Sequence, residues 1–590
     1  MAQFFKFVFA SMLGTFLTLV IASILFVSII VGIVNSASKE KNVQVSDDSI
    51  LMLDFDYDIP ERSPIDPFSD YNYNDFQSKN TVGLNDILSG IKKAKEDPKI
   101  LGIYINTSSV GGGFATTEEI RNALLDFKLS KKFIVAYSEF YTQKGYYVAS
   151  VADKIYLNPA GDIEFKGFGT QIMFLKGALD KLEIEPQVIK VGTYKSAVEP
   201  FVLDKMSDAN RLQTASFLGS MYNHFLLKIS NERGINADSL RVIANKLLIQ
   251  RAEDAVKFKL ADGLKYKDEV MADLKSRTNV KPEDDLKVIT LKKYKSAETE
   301  IKDDLPTDRI AVVYATGEII SGEGDDNTIG SERISKAIRD VREDKKVKAI
   351  VFRVNSPGGS ALASDVIWRE VELARKVKPV VVSMGDYAAS GGYYISCAAT
   401  KIYADPNTIT GSIGVFGIIP NAQKFFNNKL GVTFDGVKTG EYADMGTISR
   451  PLTESERAIL QQQVNNTYGT FTKKVAEGRK KTALGVDSIG QGRVWSGIEA
   501  LEIGLVDKLG GISDAIADAA KLANIKSYRT VSYPSQKSIL ESFFGNVSDD
   551  IQTSIMKKEL GEEYKIYKQI RKISQLNGVQ ARLPFEISVN

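Results

Sequence analysis

The chain has 590 residues, 43% hydrophobic and 25% charged, and its 76 Lys and Arg nearly balance 74 Asp and Glu, leaving a formal charge of +2. This is material for more than one core, with no global field or long basic stretch to gather nucleic acid, so no nucleic-acid partner is expected. A single cysteine, Cys397, and a single histidine, His224, exclude an internal disulfide and cysteine- or histidine-rich metal clusters, and neither metal nor cofactor is expected.

From Phe7 to Val34 no residue is charged. A helix needs about 20 apolar residues to cross a bilayer, whereas the apolar core of a cleaved signal peptide usually has only about 7 to 15. Residues 1–41 are therefore expected to form an uncleaved membrane anchor. Charge does not choose its orientation, because Lys6 and the amino terminus precede the span while Lys39 and Lys41 follow it.

Beyond a polar, Pro-containing stretch near residues 59–80, two segments look alike. The first reads "ILGIYINTSSVGGG", a helical stretch, then "KKFIVAYSEFYTQKGYYVASVADKIYLNP"; the second reads "VKAIVFRVNSPGGS", a helical stretch, then "KPVVVSMGDYAASGGYYISCAATKIYADP". Tyr146-Tyr147 align with Tyr393-Tyr394 and Gly111-Gly112 with Gly358-Gly359, at one offset of 247 (393 − 146 and 358 − 111). The chain reads as an internal duplication with units of roughly 250 residues, spanning 47–300 and 301–535, with the polar "IKDDLPTDR" at the junction. Runs such as Ala349–Val354 and Val380–Ser383 are almost continuously apolar, as in buried strands, and Ala363–Lys376 has helical spacing. The alternation predicts an α/β fold.

Chemistry enters where the two copies differ. In "GDYAASGGYY", Ser390 is flanked by Ala388, Ala389, Gly391 and Gly392, small residues that let another backbone approach its hydroxyl; its counterpart in the first copy is Gln143 (390 − 247). "VGTYKSAVEPF" of the first copy aligns Gly192 with Gly440 and Tyr194 with Tyr442 at an offset of 248 (440 − 192), and there Lys195 meets Ala443. Each copy keeps what the other lacks, so one site is expected from both halves, with Ser390 as nucleophile and Lys195 as general base. An ordinary lysine, with a pKa of about 10.4, would be protonated at neutral pH; burial among apolar groups can lower it. Glycines after a strand leave backbone N–H groups open to a ligand, so Gly391 together with Gly358 or Gly359 could form an oxyanion hole. His224, in the apolar-periodic "MYNHFLLKI", reads as a structural residue. The tail, 536–590, carries "KKELGEEYKIYKQIRKI" and is expected to be helical, packing on the core or on a neighbouring subunit.

Taken together, "GDYAASGGYYIS", "NSPGG", "TGSIGVFG" and "GTYKSAVEP" closely resemble the long, duplicated form of the bacterial signal peptide peptidase A (protease IV) family of serine peptidases. The resemblance implies a Clp-protease/crotonase-like fold of repeated β-β-α units and a Ser/Lys dyad at Ser390 and Lys195. It implies that Ser412, otherwise readable as a turn hydroxyl, helps hold the lysine. It further implies four protomers in a bowl, and a single-pass enzyme on the outer side of the bacterial cytoplasmic membrane that cleaves apolar peptides such as signal-peptide remnants. Two other classes compete. A crotonase-type acyl-CoA enzyme fits poorly with a membrane span and a Ser/Lys pair, and a silent scaffold would more readily have lost one of those two residues.

Overall fold

Apolar runs without alternation need cover on both faces, which parallel strands between helices provide. Val347–Ser356 and Val380–Ala389 are such strands, paired in parallel from Ile350↔Val380 to Ser356↔Ala388. The computed structural model describes residues 2–38, 44–64, 71–72, 77–78, 81–297, 306–536 and 579–583.

Each copy builds one sheet. In the first, the strands run in the order Gly263–Leu264, Lys154–Ile163, Phe133–Tyr141, Ile100–Asn106, Ser49–Leu53 and Val288–Thr290, all parallel. In the second, Arg309–Thr316 lies between Arg529–Tyr533 and Val347–Ser356, followed by Val380–Ala389, which pairs with both Lys401–Ala404 and Ile409–Gly411. Only the last contact, Ile409–Gly411 with Val494–Ser496, is antiparallel. Helices Phe114–Lys128 and Ala361–Arg375 fill the same place in the two copies, bridging consecutive parallel strands. The α/β class and the tandem repeat are thus both present.

A third sheet draws on both copies. Glu185–Val191, which leads to Lys195, pairs antiparallel with Val415–Asn421 along its whole length, from Glu185↔Asn421 to Val191↔Val415. Buried charge adds a second junction. Arg353, fully buried, contacts Glu61 at 2.8 Å and Glu119 at 2.7 Å, while Asp386 accepts from the backbone N–H groups of Gly113 and Thr116, each at 3.0 Å.

The amino-terminal segment is a helix, Ala2–Ser38, whose stretch Gln3–Leu25 is long and apolar enough to cross a membrane and is not buried against protein. The junction "IKDDLPTDR" falls largely outside the described residues, and so does the helix expected over 557–573. The described part of the tail is not helical: Gln580–Arg582 is a strand of the third sheet, between Gly358–Ser360 and Val415–Asn421.

Candidate active site

Ser390 ends the strand Val380–Ala389 and starts the helix Gly391–Ser396 with φ 55° and ψ −110°, a conformation that a residue with a side chain rarely adopts. Its N–H donates to the Gly411 carbonyl at 2.8 Å, fixing the turn. The small neighbours are needed, since a methyl on Gly392 would lie 2.8 Å from the Ser356 carbonyl oxygen and one on Gly391 2.7 Å from Ser364 Oγ.

Lys195 reaches this serine from the other copy. Its loop leaves the Glu185–Val191 strand through Gly192, at φ +107°, where a methyl would stand 2.5 Å from the Gln491 carbonyl oxygen. Tyr194 N–H then donates to that Gln491 carbonyl at 2.8 Å. Gly492 closes the seat: it has φ +78°, and a methyl there would come within 2.7 Å of Lys195 Cα. Buried Gln213 staples the two copies, donating to the Tyr194 carbonyl at 3.1 Å and accepting from Val494 N–H at 3.1 Å.

So placed, Lys195 Nζ lies 2.9 Å from Ser390 Oγ, 3.1 Å from Ser412 Oγ and 3.3 Å from the Ser412 carbonyl oxygen. Both Lys195 and Ser390 are fully buried. Beside them, Ala197, Val198, Phe416 and Ile418 form an apolar cluster. Burial among these groups pushes the Lys195 amine well below the ordinary lysine value. A neutral amine here can accept a proton from Ser390, and the ammonium it becomes is met by the Ser412 oxygens. Ser412 is itself held in a left-handed conformation, φ 50°, with its N–H donating to the Arg493 carbonyl at 2.7 Å.

The two loop glycines differ. Gly358 N–H donates to Ser356 Oγ at 3.1 Å, and that hydroxyl donates to the Gly317 carbonyl at 2.7 Å. This leaves Gly359 as the loop glycine whose N–H can face a ligand beside Gly391. Ser356 lies inside "NSPGG" and was legible there; Gln213 and Gly492 carry no local signal.

The remaining expectations can be located as well. His224 faces Glu118, with Nε2 3.3 Å from Oε1, in a helix of the first copy. Gln143, opposite Ser390 in the repeat, uses its amide to hold the Lys166–Gly167 turn, and Ala443, opposite Lys195, is exposed. Among the described residues, no group of three or more His, Cys, Asp or Glu is arranged to hold a metal ion.

A strained serine against a buried amine, on a doubled α/β scaffold, is an arrangement suited to nucleophilic catalysis of the kind hydrolases use. Comparison with known proteins makes this specific: residues 126–281 and 372–526 match the model of peptidase family S49, and the chain belongs to that family. It is 38% identical over 485 residues to Protease 4 of Salmonella typhi, covering 80% of this chain and 77% of that protein. It is 35% identical over 517 residues to Protease 4 of Haemophilus influenzae, covering 85% and 83%. With the chloroplastic serine protease SPPA of Arabidopsis thaliana it shares 34% identity over 511 residues, covering 85% and 74%. Among solved structures, a mutant of ClpP1 from Listeria monocytogenes matches with a TM-score of 0.24 and 18% identity, over 35% of this chain and 94% of that one. The protein is a serine peptidase.

Proposed function

We propose that this peptidase cleaves apolar peptides, signal-peptide remnants among them, through a Ser390/Lys195 dyad. One observation carries the reading: the Lys195 amine, buried and pushed below its ordinary pKa, stands 2.9 Å from the hydroxyl of a strained serine. Lys195 takes the Ser390 proton as Oγ adds to the peptide carbonyl, and the N–H groups of Gly359 and Gly391 receive the oxyanion. The Lys195 ammonium, held by Ser412, then protonates the departing amine. Water attacks the resulting ester by the same route in reverse, releasing the acid and restoring Ser390.

The helix Ala2–Ser38 anchors the enzyme in the bacterial cytoplasmic membrane with the two repeats on the extracytoplasmic side, where an apolar remnant released into the bilayer stays concentrated. We further infer a homo-oligomer of four copies. At the repeat offset, Val415–Asn421 corresponds to residues 168–174 and Glu185–Val191 to residues 433–439, and neither counterpart is strand here. Met173, Phe434 and Val437 in these counterparts are exposed. Pairing the two stretches between successive copies would repeat the ladder made within one chain.

Labelling with a serine-reactive phosphonate followed by peptide mapping tests the dyad. Modification at Ser390, lost in Lys195→Met, is expected; a label elsewhere overturns the assignment.

A further inference from the structure

The two copies match contact by contact as far as one loop. Tyr146 Oη donates to the Leu260 carbonyl at 3.0 Å and Tyr393 Oη to the Leu505 carbonyl at 2.8 Å, while Asp262 accepts from Ile155 N–H and Asp507 from Ile402 N–H, each at 2.8 Å. Both matches give one offset, 245 (505 − 260 and 507 − 262). At that offset Gly492, Arg493, Val494 and Trp495 of the second copy stand opposite Leu247, Leu248, Ile249 and Gln250 of the first. Val494 and Ile249 are both buried. The arginine and the tryptophan occur only in the copy that keeps the serine.

Arg493 is placed by ring faces. Its guanidinium carbon lies 4.0 Å from the centre of the Trp495 ring and 5.2 Å from that of Tyr194, and its buried Nε has no hydrogen-bond partner among the described residues. A flat, weakly hydrated guanidinium suits such a stack, whereas a lysine ammonium does not. Tyr194 comes from the first copy and directly precedes Lys195. Trp495 comes from the second: its Nε1–H donates to the Ile489 carbonyl at 3.0 Å, and its Cδ1 is 2.7 Å from where a methyl on Gly411 would lie. Gly411 is the residue whose carbonyl accepts from Ser390 N–H at 2.8 Å. The stack therefore runs beside the dyad, from the residue before the amine to the residue that holds the serine.

The backbone under the stack joins the same two loops. The Gln491 carbonyl accepts from Tyr194 N–H at 2.8 Å, Gly492 N–H donates to the Ile413 carbonyl at 2.7 Å, and the Arg493 carbonyl accepts from Ser412 N–H at 2.7 Å. Three consecutive residues thus set the spacing between the Lys195 loop and the Ser412 loop. Tyr468 Oη fixes the start of the segment, accepting from Gln491 N–H at 3.2 Å and donating to Asp487 at 2.5 Å. At its far end the Arg493 side chain locks the segment over Tyr194, beside the Gln213 staple.

We propose that Arg493 is a positioning residue for the peptidase reaction: stacked between Tyr194 and Trp495, it keeps the Lys195 amine within reach of both Ser390 Oγ and the Ser412 oxygens. This rests on the dyad reading above, and Arg493 acts through Lys195. The groups that face Nζ are the hydroxyls of Ser390 and Ser412, the Ser412 carbonyl and the Phe416 ring at 5.9 Å, none of them charged. Position and dryness are therefore what the seat supplies to the amine. Without the stack the loop shifts, water reaches Nζ, and both the short proton-transfer path and the desolvation are lost.

Kinetics of the full chain on an apolar fluorogenic peptide test this. Arg493→Leu and Trp495→Gln, which copy the first repeat, are each expected to lower kcat about 100-fold, as a base misplaced by about 1 Å would, with KM little changed. They should also move the rise of kcat/KM toward the alkaline range of an ordinary lysine. Trp495→Phe keeps an aromatic face and should retain most of the activity, whereas Arg493→Lys keeps the charge without the plane and should behave like Arg493→Leu. A raised KM with kcat intact would make Arg493 a substrate contact and overturn the positioning role. A lower kcat with an unmoved pH profile, the mark of a merely weakened fold, would overturn it too. If Arg493→Leu does not fold, Trp495→Gln and Trp495→Phe carry the same comparison, and equal kcat in the two overturns the proposal. Lys195→Met as active as wild type would remove the dyad and this proposal with it; an inactive Lys195→Met beside an unchanged Arg493→Leu removes this proposal alone.

Discussion

Lys195 and Ser390 are 195 positions apart in the chain and 2.9 Å apart in space, joined by a ladder of strands in which each repeat contributes one partner. In the proposed dyad the amine and the hydroxyl act as a unit, so removing either should cost about as much as removing both. Ser390→Ala and Lys195→Met are each expected to lower kcat by about 10⁴-fold or more, and the double variant by little further. Lys195→Arg keeps a cation but cannot deprotonate, so turnover surviving at more than a few per cent would remove the general-base role.

The pH dependence follows from the same burial. Only the neutral amine accepts the serine proton, so kcat/KM should rise with pH through the Lys195 pKa and then level off. Burial lowers that pKa, so the rise lies well below the alkaline range of an ordinary lysine. A profile that rises only near pH 10 would contradict the desolvated environment. The same burial costs stability below the ordinary lysine pKa. Between the folded and unfolded pKa values the unfolded chain binds the extra proton, so stability increases with pH across that window. Lys195→Met, of similar volume, should therefore raise Tm at neutral pH and do so less at pH 10, a comparison open to calorimetry.

Much of this site was legible because duplication provides an internal control. The strands persist in both copies at one offset, and the losses at Gln143 and Ala443 point to Lys195 and Ser390 as complementary remnants. Long-range contacts leave no such trace. Gln213 is one polar residue among many on its helix, yet it joins Tyr194 to Val494. The tail strand is too short for its alternation to stand out, and its partner lies more than two hundred residues earlier. Likewise Arg353, within the apolar run "VFRVN", interrupts the strand pattern for a reason that only Glu61 and Glu119 supply.

Gly492 provides a test of how closely the lysine must be seated. Its φ of +78° is strained for any side chain, and a methyl would press on the Lys195 backbone at 2.7 Å, where the backbone has little room to yield. Gly492→Ala should destabilise the protein by about 1–3 kcal/mol. It should also reduce kcat more than KM, because it displaces the base and not the peptide cleft. Equal catalysis in a folded Gly492→Ala enzyme would mean that the Lys195 loop tolerates movement.

Arg353 tests the junction between the copies. Its guanidinium is fully buried between the carboxylates of Glu61 and Glu119, and Glu119 also accepts from Ile512 N–H at 2.7 Å. Taking away the cation leaves two buried carboxylates facing each other without compensation, and breaking a buried ion pair costs about 3–5 kcal/mol. Arg353→Leu should lower stability by about that amount in urea titration. Because "NSPGG" continues directly from the strand that carries Arg353, activity should fall at urea concentrations that leave the wild type folded. Replacing all three charges together, with Arg353→Met, Glu61→Leu and Glu119→Leu, removes the unpaired carboxylates and should recover much of the loss. If the triple variant is as unstable as Arg353→Leu, packing and not charge holds this junction.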